Sequence, residues 1–130
     1  MARLILDTTV LVTADREGTQ LDDLLADEDD VAIAAITAAE LLVGVHLADD
    51  AHRAGRIAFV DDVLSTIPIE DYDLPAARAH AELLAHVRRT GRPRGAHDLV
   101  IAATASATRR IVLSADTGAF ADLPGVAHRE

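Results

Sequence analysis

Hydrophobic positions along the chain alternate between two rhythms. Residues 3–6, 31–36 and 110–114 contain short apolar runs with polar boundaries, and each reads as a buried strand. Between them the spacing lengthens: Ala54, Ile57, Val60 and Leu64 mark an amphipathic helix within residues 49–64, and Ala77, Ala81, Leu84 and Val87 another within 73–89. Residues 37–45 predict a helix bearing Leu41, Leu42 and Val45, and residues 98–107, apolar nearly all round, predict a buried one. The segment TIPIE holds Pro68 and fits a third strand near a sheet edge, since proline donates nothing to a ladder. Residues 126–128 complete the pattern as a short fifth strand, and a polar, helix-compatible stretch leads to an acidic turn at 27–30.

Strands alternating with helices predict an α/β protein: a three-layer α/β/α sandwich around a mainly parallel sheet. At 130 residues, without a linker or internal repeat, the chain reads as one domain over residues 1–130, large enough to bury roughly two-thirds of its unfolded surface. There is no cysteine, so no disulfide framework and no thiolate metal site. The N-terminus lacks the marks of a signal peptide. The longest apolar run, starting at Val31, is interrupted by Thr37 and Glu40 before reaching the roughly 18 residues of a membrane span. A cytoplasmic protein without membrane contact is expected.

Charge narrows the function. All 12 basic residues are arginine, so a Walker-type phosphate loop or a two-component receiver, each needing a lysine, is excluded. One tyrosine and two phenylalanines are too few for base-stacking platforms, and a net charge of −10 opposes non-specific coating of nucleic acid. The acidic runs Asp22 and Asp23, 27–30, Asp49 and Asp50, and Asp61 and Asp62 read as solvated faces.

Four other acids stand apart. Asp7 interrupts the apolar segment RLILDTTVLV, and a buried carboxylate needs a partner or a chain end. Glu40 follows Thr37 at capping-box spacing, Asp98 falls in a first helical turn, and Asp116 precedes Thr117 and Gly118 as in an ordinary turn. Each position has a structural explanation by itself. Asp7, Glu40 and Asp116, however, follow strands one, two and four, and the carboxyl ends of parallel strands share the edge where ligands bind. Spacing alone does not place Asp98 with them.

Carboxylates gathered within about 4–6 Å repel by a few kcal/mol per pair even at an effective dielectric near 20, and cations resolve that repulsion. Oxygen ligands without cysteine or ordered histidine select Mg²⁺ or Mn²⁺ over zinc. Thr8, Thr9 and Ser114 are hydroxyls able to orient such ligands. His97 adjoins Asp98 and reads as a solvent-facing first-turn residue. Arg88, Arg89, Arg92 and Arg94 cluster just before Asp98, and the loop GRPRG offers Arg92 and Arg94 as holders of RNA phosphates.

The ordered motifs DTT with Asp7, TAAELLVG with Glu40, GAHDLVIAATA with Asp98 and LSADTGAF with Asp116 resemble the PIN-domain ribonucleases, and within them the VapC-type toxins of VapBC toxin–antitoxin modules. The resemblance covers essentially the whole chain. It implies a Mg²⁺- or Mn²⁺-dependent endoribonuclease acting as a type II toxin, a homodimer, and inhibition by a VapB-like antitoxin, with no organic cofactor. It also implies that Asp7, Glu40, Asp98 and Asp116 are both the catalytic and the metal-binding acids, with Thr9 and Ser114 as supporting hydroxyls. Ser114 stands where relatives often carry threonine. Two alternatives remain at this level, a non-catalytic PIN-like binding domain and a free-standing housekeeping ribonuclease. A phosphatase of the haloacid dehalogenase type is disfavoured, because Thr9 occupies the place of its second aspartate and its lysine is missing.

Overall fold

The computed structural model describes residues 2–25 and 29–130. Five strands form the sheet: β1 (Arg3–Leu6), β2 (Asp30–Ala34), β3 (Ile69–Glu70), β4 (Ile111–Leu113) and β5 (His128–Arg129). They lie in the order β3-β2-β1-β4-β5 and every pairing is parallel. Register places Leu4 between Val31 and Ile111, and Ile5 between Ala32 and Val112. The carboxyl ends of all five strands therefore share one edge. Strand order reverses at β1, so a crevice opens there between the ends of β1 and β4.

Helices cover both faces because strand side chains alternate. Ile5, Ala34 and Val112 pack with Leu83 of α5 (Leu74–Thr90) and with Leu99 and Ile101 of α6 (Ala96–Thr108). On the other face, Leu4, Leu6 and Ile33 meet Leu11 of α1 (Thr8–Glu17), Leu41 of α3 (Ala35–Leu47), and Val60 and Val63 of α4 (Asp50–Thr66). A single turn, α2 (Leu21–Leu24), adds Leu21 to that second core. The expected α/β layering is present, with the sheet wholly parallel among the described residues.

Local chemistry sets several boundaries. Asp49 and Asp73 cap α4 and α5 by accepting from the backbone N–H groups of His52 and Ala76 at 2.9 and 3.1 Å. Gly91 ends α5 in the left-handed region at φ 67°. Other boundaries shift from the sequence reading. The second strand stops at Ala34 and its helix begins at Ala35, because Ala34 and Ala35 carry no punctuation that a pattern can detect. β3 is only two residues long, and Pro68 lends its carbonyl to Ile33 N–H at 3.0 Å. The buried helix α6 begins at Ala96, two residues before Asp98. The acidic turn read over 27–30 lies partly outside the described residues; Asp29 accepts from Ala2 N–H and Asp30 opens β2.

Arg110 draws distant strands together. Its guanidinium is buried and bonds the carbonyls of Leu4 and Asp30 and the carboxylates of Asp30 and Glu70, all within 3.2 Å. A buried arginine requires such saturation, and removing both acids would leave its charge without compensation.

Candidate active site

Asp7 follows β1 directly and is only 2% exposed. It occupies the N-cap position of α1, yet its side chain caps nothing. Instead Oδ2 accepts the hydroxyl protons of Thr9 at 2.7 Å and Ser114 at 2.8 Å, while the Asp7 N–H reaches the Leu113 carbonyl at 2.9 Å. Two hydroxyls thus pin one oxygen, and among the described residues no donor reaches Oδ1. A carboxylate serving as a helix cap would face the amides of α1.

Glu40 projects from α3. The helix begins at Ala35, so Thr37 lies inside its first turn and is not the cap of a capping box, despite its spacing from Glu40. Thr8, the first residue of α1, brings its hydroxyl to 3.0 Å from Glu40 Oε1. His97 Nδ1 stands 3.5 Å from Glu40 Oε2, so the histidine expected to face solvent faces the acidic cluster while remaining exposed. No spacing signal links residues 40 and 97.

Asp98 occupies the first turn of α6, where the helix dipole favours a carboxylate. Its pKa is nevertheless raised, first by loss of water and then by the negative charges of Asp7, Asp116 and Glu40, with His97 opposing. The other three predicted acids therefore all bear on Asp98. Gly95 accommodates this carboxylate: a Cβ there would lie 2.7 Å from Asp98 Oδ2. Asp116 follows β4 and is exposed; its Oδ1 caps the short 3₁₀ turn Thr117–Ala119 at Ala119 N–H, 3.3 Å away. Ser114, having donated its proton to Asp7, accepts from the Asp116 N–H at 3.0 Å. Its one hydroxyl joins the ends of β1 and β4.

Among the described residues no three His, Asp or Glu side chains converge tightly enough to hold an ion as they stand, so the site is an open acidic cluster and not a closed cage. Its donor chemistry fits a hard divalent cation. Four carboxylates supply only oxygen, three hydroxyls hold Asp7 and Glu40 from behind, and the charge each acid imposes on Asp98 is what a cation relieves.

The arginine loop is less uniform than its sequence. Arg94 bonds the carbonyls of Arg92 and Pro93 through Nη1 and of Ala121 through Nη2, tying the loop before Asp98 to the segment after Asp116. Arg92 is exposed and borders a cavity of about 390 Å³ with His86, Thr90 and Asp122.

Residues 4–126 match the PIN domain. Over 129 residues, 97% of this chain and 91% of the relative, the sequence is 40% identical to the ribonuclease VapC5 of Mycobacterium tuberculosis. The chain belongs to the PIN-domain family, among the VapC ribonuclease toxins of VapBC toxin–antitoxin systems. Solved VapC-containing structures share its fold. One is VapBC-5 of M. tuberculosis, with a TM-score of 0.79 and 33% identity over 98% of both chains. Another is VapBC2 of Rickettsia felis bound to a promoter DNA fragment, with a TM-score of 0.86 and 25% identity over 98% of this chain and 97% of that one. The VapC assignment sets aside the phosphatase reading.

Proposed function

We propose that this VapC toxin is a Mg²⁺- or Mn²⁺-dependent endoribonuclease whose Asp7, Glu40, Asp98 and Asp116 hold the ion at the crevice between β1 and β4. The observation that carries the reading is the hydrogen-bonded link at the strand ends from the Asp116 N–H through Ser114 to Asp7, with Thr8 of the adjoining helix held on Glu40; the raised pKa of Asp98, to which Asp7, Asp116 and Glu40 contribute, fits the same cluster. When bound, the ion supplies charge neutralisation at the phosphate and acidification of water. The chain's own residues do the rest. Thr9 and Ser114 fix one oxygen of Asp7 and leave the other open, Thr8 fixes one oxygen of Glu40, and Arg92 holds a neighbouring RNA phosphate while Arg94 shapes the loop that presents it.

In this reading residues 1–130 work as a single PIN domain, as a homodimer, in the cytoplasm where RNA and a VapB-like antitoxin are made. Structural neighbours, VapBC-5 and the toxin–antitoxin complex from Klebsiella pneumoniae among them, support such a partner. No helix among the described residues is long and apolar enough to cross a membrane.

The test is incubation of purified protein with total RNA and Mn²⁺, followed by mapping of the cut ends. Hydrolysis by water leaves a 5′-phosphate and a 3′-hydroxyl, and Asp98→Asn abolishes it. A 2′,3′-cyclic phosphate, or full activity in EDTA, rejects the metal-dependent reading.

A further inference from the structure

Thr37 is completely buried in the first turn of α3, and its hydroxyl lies 3.0 Å from Thr8 Oγ1. This is unlike Thr104, buried within α6, which returns its proton to the Val100 carbonyl four residues earlier, as helical threonines commonly do, and unlike the half-buried Thr108, which does the same to Thr104. Thr37 directs its hydroxyl out of its own helix and toward α1. A valine would fill the same space without a polar group, so packing alone does not explain the hydroxyl.

Hydrogen-bond arithmetic gives the contact a direction. Thr8 Oγ1 is 3.0 Å from both Thr37 Oγ1 and Glu40 Oε1, and it has one proton. An ionised carboxylate only accepts. If Thr8 gave its proton to Thr37, its oxygen would face Glu40 Oε1 with no hydrogen between them. The satisfied arrangement is a chain in which Thr37 donates to Thr8 and Thr8 donates to Glu40. Each bond polarises the next, and a low-dielectric setting strengthens both.

We infer that Thr37 is a positioning residue for Glu40, acting through Thr8. It fixes the Thr8 rotamer and hydroxyl proton, which hold Oε1 of Glu40 and leave Oε2 turned toward the side where His97 and the acidic cluster lie. Thr37 touches neither substrate nor ion; it sets the orientation of a ligand that does. The inference rests on the proposed metal-binding role of Glu40 and adds a residue that the acidic motifs do not include.

The experiment compares Mn²⁺ affinity, by calorimetry or paramagnetic resonance, and thermal melting for the parent, Thr37→Val, Thr37→Ser and Asp98→Asn. Thr37→Val is expected to melt near the parent yet bind Mn²⁺ on the order of tenfold more weakly, as for loss of other groups behind a metal ligand. Thr37→Ser restores affinity to within about twofold of the parent. Parental Mn²⁺ affinity in Thr37→Val, with binding lost in Asp98→Asn, overturns the inference and leaves the site intact. Parental affinity in Asp98→Asn overturns the site assignment on which the inference stands. If Thr37→Val does not fold, Thr37→Ala against Thr37→Ser isolates the hydroxyl in two smaller side chains, and equal affinities in that pair overturn the inference.

Discussion

Ser114 donates its hydroxyl proton to Asp7 Oδ2 across 2.8 Å while accepting from the Asp116 N–H at 3.0 Å. Both groups lie at the strand ends on either side of the switch point, so one buried side chain joins the first and last acids of the site. Ser114→Ala removes a donor from a buried carboxylate. A loss of about 1–3 kcal/mol in stability is expected, together with a fall in RNA cleavage beyond what the unfolded fraction explains. Ser114→Thr retains the hydroxyl, and its stiffer χ1 preserves cleavage. Urea unfolding and cleavage rates on the same preparations test both statements; equal rates in parent and Ser114→Ala exclude the bridging role.

The raised pKa of Asp98 gives stability a defined pH dependence. The folded protein holds this proton more tightly than the unfolded chain, so ionisation of Asp98 disfavours the fold. The penalty is absent below the ordinary value of 3.8, grows as pH rises through the window up to the raised folded value, and is complete above it. Asp98→Asn is expected to match the parent at the acidic end and to melt higher than the parent above the window in EDTA. Mn²⁺ closes the gap by stabilising the parent and not the variant. Melting curves from pH 3 to 8 provide the check, and a variant melting far below the parent in EDTA makes Asp98 primarily a helix residue.

Gly95 tests the same carboxylate sterically. A methyl group at this position meets Asp98 Oδ2 at 2.7 Å, and a side-chain end yields more readily than backbone. Gly95→Ala is therefore expected to change stability by less than about 1 kcal/mol while lowering Mn²⁺ affinity by moving Asp98. Unchanged affinity shows that the carboxylate rotates away without consequence.

Asp7, Glu40 and Asp116 stand out in the sequence because each follows an apolar strand, and a parallel sheet brings such positions to one edge. Spacing does not place Asp98 beside them, because that depends on how α6 lies across the sheet; only the family resemblance groups it with the other three. Thr37 was misread for a local reason: Ala34, Ala35 and Ile36 continue the apolar strand pattern, so the helix start is decided by packing. The pairings of His97 with Glu40 and of Arg110 with Asp30 and Glu70 are not legible, because these partners are remote in sequence and are matched only after folding. Arg94 carries contacts that the charge of the loop does not reveal: besides the carbonyls of Arg92 and Pro93 it bonds that of Ala121, remote in sequence.

Arg92 and Arg94 should therefore separate in experiment. Arg92→Ala is expected to weaken RNA binding and to flatten the dependence of log affinity on log salt by about 0.7, the value for one single-strand phosphate contact. Arg94→Ala leaves the Ala121 carbonyl without that donor, so thermal stability falls as well. Mn²⁺ affinity stays constant in Arg92→Ala. An unaltered salt slope in that variant reduces the loop to a solvated connection.

The partner prediction follows from charge and exposed apolar surface together. The protein has a net charge of −10, and its acidic crevice lies near the rim of α3, where Leu42, Val43 and Leu47 are exposed at 42%, 53% and 81%. Leu41, their neighbour on the same helix, is buried in the core and is unavailable to a partner. A basic antitoxin segment can satisfy both surfaces, with apolar side chains on α3 and an arginine forming paired hydrogen bonds with the acids, which blocks the place of the scissile phosphate. Charge then governs association, and apolar burial governs release. Co-expression with the adjacent small open reading frame is expected to relieve toxicity and yield a copurifying, nuclease-inactive complex. Raising salt slows association, whereas Val43→Asp mainly accelerates dissociation and leaves cleavage by the free toxin unchanged. A neighbouring product that binds without inhibiting an active nuclease, or does not bind, removes the arginine-insertion model and favours a ribonuclease that works alone.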